Sequence, residues 1–233
     1  MRFYTDITTN ASNYCLLNVN HYDDKRKLQK KAIMIDPGVY ELKHAREYSR
    51  ISFLHRLAEL GQDVMSIDYP CDMNPKYSKE FVLKSFENNV RYVDNLNYIC
   101  TIQHKFKDFD DFVRQYEDLE FVFKRPGKIL GLGNLCRINR PDPFVDAVMF
   151  YLLMHHPFGS RMHVYGAPLW LIRKWGPALD YYFQLSVDST KWTRAVNNEL
   201  KGKYGLNASK AHRDEFFNEY ITTIRQAGIE VVK

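Results

Sequence analysis

Short apolar, β-rich runs recur along the whole chain with amphipathic stretches between them, and this alternation limits the possible folds more than any other feature. Parallel strands need long crossovers, usually helices, so strands spaced in this way pair in parallel and carry helices on the outer face. The pattern predicts strands at Phe3–Asp6, Ala32–Asp36, Val64–Asp68, Tyr98–Gln103, Ile129–Gly131, Met162–Tyr165, Phe183–Val187 and Ile229–Val232. Phe121–Phe123 is a further short apolar run that competes for one of these places. Helices are predicted over Tyr77–Asn95 behind Pro75, over Phe109–Leu119, over Pro143–His155, and over Ser209–Ala227, which Gly228 stops. In the last of these Phe217, Tyr220, Ile221 and Ile224 recur at helical spacing, so one face is buried. Eight such strands predict an α/β fold: a small (β/α)8 barrel of the TIM type, in a single domain over residues 1–233.

Composition agrees with a globular domain and excludes other classes. The 233 residues are 45% hydrophobic, enough for a sizeable core, and 11 glycines and 9 prolines are scattered as punctuation. Apolar runs such as Phe150–Met154 fall far short of the roughly 20 residues of a membrane-spanning helix, and Met1 to Asp6 form no secretory signal. A cytoplasmic location is expected, with no membrane partner. Cys15, Cys71, Cys100 and Cys136 lie far apart, so free thiols are expected. The only adjacent histidines are His155 and His156, at a helix end before Pro157, so no metal site is expected. Lysine and arginine total 33 against 28 acidic residues, a net charge of +5, which is compatible with a nucleic-acid partner without requiring one.

The ends of the predicted strands carry the chemistry. Asp36, Asp68, Gln103, Gly133-Asn134, Tyr165-Gly166 and Asp188 close successive apolar strands. In such barrels the C-terminal strand ends hold the active site, because the βα loops converge there. For any single aspartate a helix N-cap or an Asx-turn is the plainer explanation. Two of the carboxylates, Asp36 in Ile35-Asp36-Pro37-Gly38 and Asp188 in Val187-Asp188-Ser189-Thr190, are candidates for the paired acid/base and nucleophile of glycosyl chemistry.

Taken in order, these strand-end motifs resemble the tRNA-guanine transglycosylase superfamily over residues 32 to 198. Asp36-Pro37-Gly38-Val39-Tyr40-Glu41 resembles the D-S-G-G-[FY]-Q loop, which implies Asp36 as general base and Tyr40 as a stacking ring. Ser66-Ile67-Asp68 resembles the S-F-D-E strand end that reads the purine edge, and Ile102-Gln103 the V-Q-G strand end that assists it. Gly133-Asn134-Leu135 resembles the G-G-L loop, and Val164-Tyr165-Gly166 the L-M-G segment that covers the other face of the base. Val187-Asp188-Ser189-Thr190-Lys191-Trp192-Thr193-Arg194 is similar to F-D-x-x-x-P-T-R, which implies Asp188 as nucleophile. The C-x-C-x-x-C…H zinc site and an appended RNA-binding domain are missing, and Pro37 and Val39 replace small residues. Gly131–Arg137 and Val187–Thr190 are similar to the compact DpdA-like branch, the 7-deazaguanine DNA transglycosylases of phage and genomic-island modification systems.

The resemblance implies exchange of guanine for a 7-deazaguanine derivative in DNA, with DNA and a free base such as 7-cyano-7-deazaguanine as partners and no cofactor. The alternatives are a tRNA-guanine transglycosylase that relies on a partner subunit, and a non-catalytic barrel acting as a binding subunit. The chemistry fits carboxylates. A covalent glycosyl intermediate on Asp188 splits one displacement into two, and Asp36 protonates the leaving guanine. Tyr40 and Tyr165 suit the faces of an extruded base; Asp68, Gln103 and Asn134 suit its edge, beside Gly133 and Gly166. Lys191, Arg194, Lys201 and Lys203 suit a phosphate backbone, as do Lys124, Arg125, Lys128, Arg137 and Arg140 beside the fifth strand. Plainer roles exist throughout: Tyr40 and Tyr165 as packing, the lysines and arginines as solvated faces, and His163 as a satisfied inward-facing strand residue.

Overall fold

A computed structural model describes residues 1–5, 12–19, 32–37, 47–65, 78–136, 138–189 and 210–232. The eight strands are β1 (Arg2–Tyr4), β2 (Tyr14–Asn18), β3 (Ala32–Asp36), β4 (Asp63–Met65), β5 (Tyr98–Ile102), β6 (Ile129–Leu132), β7 (Arg161–Val164) and β8 (Gln184–Asp188). Six helices are described: α1 (Glu47–Glu59), α2 (Ser78–Arg91), α3 (Phe109–Phe123), α4 (Pro143–His155), α5 (Leu169–Tyr182) and α6 (Lys210–Arg225). All strand pairs are parallel, in the order β1-β8-β7-β6-β5-β4-β3-β2. The sheet nearly closes on itself through one bridge between Thr5 and Cys15. There Thr5 N donates to Tyr14 O at 3.1 Å and Leu16 N to Thr5 O at 2.8 Å. The chain is thus a small (β/α)8 barrel. Among the described residues no helix is long and apolar enough to cross a membrane.

One predicted strand is corrected. Ile229–Val232 is not a barrel strand, and the eighth place belongs to β2, Tyr14–Asn18. Only residues 5–13 join β1 to β2, too short a link to announce a parallel neighbour by pattern alone. Ile229 and Val231 are apolar for another reason: they are buried in the outer layer beneath α5 and α6. A side chain at Gly176 of α5 would meet Ile229 Cδ1 at 2.6 Å. Val232 makes a single bridge to Arg2, beside β1. Phe121–Phe123 forms the last turn of α3 rather than a strand.

Two-residue alternation sorts the strand side chains into layers. Cys15, Leu17, Ile35, Val64 and Tyr98 point outward and bury Leu54, Leu57 and Ala58 of α1. Tyr4, Tyr14, Met34, Met65, Ile99, Ile129 and Tyr165 point inward and fill the barrel. At the N-terminal end of the barrel Arg161 of β7 and Asp63 of β4 form an ion pair at 2.9 Å. The larger outer core lies between β5–β8 and α3–α6, with Phe112, Tyr116, Leu152, Leu171 and Phe217 among its members. Helix starts follow local chemistry. Asp108 accepts from Asp111 N at 2.9 Å to cap α3, and Asp142 accepts from Phe144 N at 3.0 Å ahead of Pro143 to cap α4.

Candidate active site

β7 and β8 lie in register with His163 beside Ser186 and Val164 beside Val187. Alternation then turns His163, Tyr165, Ser186 and Asp188 into the barrel. Asp188, the last residue of β8, is 6% exposed. Its Oδ1 accepts from His163 Nε2 at 3.1 Å and from the Gly166 amide at 3.0 Å. Gly166 has φ +55°, which an L side chain rarely adopts, and a Cβ there would stand 2.5 Å from Cys136 Cβ. The glycine therefore permits the turn that aims its N–H at the carboxylate. Ala167 N anchors the backbone carbonyl of Asp188 at 2.7 Å. Among the described residues no hydrogen bond is made to Oδ2, so one oxygen is held and the other is available to a reacting atom.

His163 is wholly buried. Its Nδ1 lies 2.9 Å from Ser186 Oγ, which in turn lies 3.1 Å from Met162 O. The ring of Tyr165 packs against it at 4.6 Å and that of Tyr4 edge-on at 5.7 Å. Behind Asp188 stands Tyr220 of α6. Burial pushes its hydroxyl up to about 12, and the Asp188 charge raises it further. The sequence reading of His163 as a satisfied inward-facing strand residue does not name its partners, Ser186 and Asp188. The signal was present in the two-residue spacing of His163/Tyr165 and Ser186/Asp188, but only the strand register joins the two pairs.

A second group lines the same mouth at β5 and β6. Gln103 and His104 follow β5 and are buried. Gly133 N donates to Ile102 O at 3.1 Å. Asn134, at φ +61° and 5% exposed, donates through Nδ2 to His104 O at 2.6 Å, while its Oδ1 makes no hydrogen bond among the described residues. His104 packs against Phe112 and Phe144, and burial lowers its proton affinity. Asp36 ends β3, half-buried, in register with Asn18 and on the inward face with Met34.

Tyr165 turns into the barrel rather than over its rim. Its hydroxyl is 3.2 Å from Thr101 Oγ1, and it lies over Gly131, where a Cβ would be 2.6 Å from that hydroxyl. Tyr40, Asp68, Lys191, Arg194, Lys201 and Lys203 lie outside the described residues, as does Arg137. The basic residues before β6 lie apart from Asp188. They stand at the N-terminal end of the strand, and each is engaged. Lys128 is 3% exposed, donates to Asn95 O at 2.6 Å and to Tyr92 O at 3.3 Å, and burial lowers it to about 8. Arg125 pairs with Asp94, and Lys124 with Glu120.

Chemically the mouth offers an oriented carboxylate, a second carboxylate on the same inward face, and neutral hydrogen-bonding groups between them. That suits displacement at a carbon centre with proton transfer to a leaving group. No family model matches the chain, and no curated protein matches it.

Proposed function

We propose that the chain is a nucleic-acid base transglycosylase, a pentosyltransferase that exchanges guanine for a 7-deazaguanine derivative in DNA. The observation that supports this most is the fixing of Asp188: two N–H donors hold Oδ1 at the barrel mouth and leave Oδ2 for attack on C1′. A carboxylate nucleophile holds C1′ activated as an ester until the new base attacks. Asp36 then acts as the acid that protonates departing guanine and as the base that receives the proton of the incoming ring nitrogen. Two displacements give retention at C1′.

The buried amides of Gln103 and Asn134, with the Gly133 backbone, suit recognition of the edge of a base lifted out of its stack. Tyr40 and Asp68 are assigned the face and the Watson–Crick edge of the base on their sequence context. Lys191, Arg194, Lys201 and Lys203 are assigned to the phosphate backbone on the same ground. The enzyme acts in the cytoplasm, as part of a phage or genomic-island modification system.

The test is incubation of the full chain with mass-tagged 7-cyano-7-deazaguanine and either guanine-containing duplex DNA or tRNA. Tag entering DNA is the expected result, with a denaturation-resistant protein–DNA adduct when the incoming base is withheld. Tag entering tRNA instead moves the substrate to RNA. No tag in either nucleic acid, and no adduct, overturns the catalytic assignment in favour of a binding subunit.

A further inference from the structure

α4 is apolar on both sides. Its inner face buries Phe144, Val145, Val148, Met149 and Leu152 in the outer core. Its outer face carries Pro143, Ala147, Phe150 and Met154, spaced by four, three and four residues, so they form one stripe along the helix. A surface helix ordinarily turns charged residues to solvent. α4 has no lysine or arginine, and its one acidic residue, Asp146, is engaged by Lys174 Nζ at 2.7 Å and by Trp175 Nε1 at 2.9 Å.

The stripe continues onto α5 and the loop beyond α4. Phe150 stands edge-on to Trp175 at 4.7 Å. Tyr182 lies two turns beyond Trp175 on the same side of α5, and Phe158 meets it at 5.8 Å and Tyr181 at 6.3 Å. Phe150, Met154, Phe158, Tyr181 and Tyr182 are between 40% and 79% exposed. At about 200 Å² for each side chain, they leave about 650 Å² of aromatic and methionine surface in water. Single exposed apolar residues are ordinary, but a continuous patch of this size marks an interaction site.

We propose that this face of α4 and α5 is the contact between two copies of the chain, paired about a twofold axis with their α4 helices antiparallel. The area fits, since two such patches remove about 1,300 Å² from water, within the about 1,200 to 2,000 Å² of stable interfaces. The four-three-four spacing is that of the apolar seam along which two helices pair. The seam is also complementary to itself. An axis crossing α4 between Phe150 and Tyr151 sets Met154 opposite the Ala147 position of the other copy, large side chain against small.

Charge points the same way. Asp146 and Lys174 at the edge of the patch pair with each other, so they enter the contact without leaving a lone charge. Partners of another kind are selected by complementary charge, and the stripe offers none. Tyrosine, phenylalanine and methionine, without lysine or glutamate, are the composition of an interface core. The face lies on the flank of the barrel, so the mouth at Asp188 stays open in both copies, and the pairing does not depend on which reaction occurs there.

The test is sedimentation velocity of the full chain across micromolar concentrations, where a species of twice the chain mass is expected. Met154→Lys puts a charge into the seam and is expected to weaken pairing at least about tenfold, while circular dichroism shows that the dissociated chain keeps its fold. Phe150→Cys puts a thiol beside the axis and is expected to give a disulfide-linked dimer on mild oxidation, above the level of the unsubstituted chain. Leu83→Cys, exposed on α2, is not. A chain that stays single throughout overturns the proposal, and so do species that grow beyond the dimer. A dimer that Met154→Lys leaves unchanged places the contact elsewhere. A dimer weakened by Met154→Lys but not linked through Phe150→Cys keeps the face and overturns the antiparallel pairing. A single chain that binds phosphatidylcholine vesicles, and loses that binding in Met154→Lys, gives the face to a lipid surface instead.

Discussion

Gly166 shows how much of the site depends on one backbone position. Its φ of +55° directs an N–H at Asp188, and a methyl group there would press on Cys136. Gly166→Ala is expected to destabilise the fold by about 2 kcal/mol, from left-handed strain plus overpacking. Its adduct yield should fall further than its stability, because Asp188 loses an orienting donor. Thermal unfolding and adduct formation measured on the same preparation separate the two. Asp188→Ala is expected to abolish the adduct and also to cost about 1 to 3 kcal/mol, because the buried His163 and Gly166 N–H groups lose their acceptor, so unfolding is measured on the same preparation. A variant with an undiminished adduct would remove Asp188 as nucleophile. Thr101→Val removes the hydroxyl that faces Tyr165 and should cost about 1 kcal/mol in denaturant unfolding, with no effect on the adduct if Tyr165 is a packing residue.

At the scale of elements, α4 has the most fully specified start among the described residues. Asp142 accepts from Phe144 N and pairs with Lys107, and Pro143 occupies the first turn. The hydrogen bond from Lys107 holds the Asp142 carboxyl below the usual carboxylate range. A depressed folded value means that its contribution is complete above the unfolded value near 4 and is lost as pH falls through the folded one. Asp142→Ala should therefore cost about 1 kcal/mol at pH 7 and have a diminishing effect in strong acid, read from urea midpoints across pH. The predicted and observed bounds of α4 coincide at Pro143–His155 because cap, proline and terminal His155-His156-Pro157 are all local signals. α5 lacks such punctuation. No side chain caps it at Pro168, and it carries Gly176 and Pro177 inside; packing against Ile229 and the outer core holds it helical.

Over the whole molecule, acid sensitivity and nucleic-acid affinity are the accessible tests. His156 is buried under Tyr116, Phe123 and Phe183, and burial lowers it to about 4. Between that value and about 6.5 the unfolded chain binds a proton that the folded chain excludes, so stability falls as pH drops through this window, by up to about 3 kcal/mol. His156→Gln should flatten this part of the pH–stability curve. If Lys201 and Lys203 neutralise phosphates, DNA affinity should decline steeply with salt, and replacing both with neutral residues should reduce the log–log slope by about 0.9 for each phosphate left without its cation. A double variant with the wild-type slope would remove that segment from the interface.

The barrel class and the polar ring at its mouth are legible in the sequence. Strand alternation, helix caps and strand-end residues are written over a few neighbouring positions, so Asp36, Gln103, Gly133, Asn134 and Asp188 are expected at strand ends and stand there in the fold. Relations between distant segments are not legible in this way and emerge only when the chain is folded. β2 takes its place by bridging β1 and pairing β3 after a link too short to carry a helix, whereas Ile229–Val232, apolar enough for a strand, is drawn into the helix layer. Lys128, a surface charge by composition, is buried against the carbonyls of Tyr92 and Asn95. His163 meets Asp188 and Ser186 only because β7 and β8 pair in one register, and a slip of β8 by a single residue would turn Ser186 and Asp188 to the face opposite His163. Local pattern selects which residues face inward; the register between strands 25 residues apart selects which of them touch.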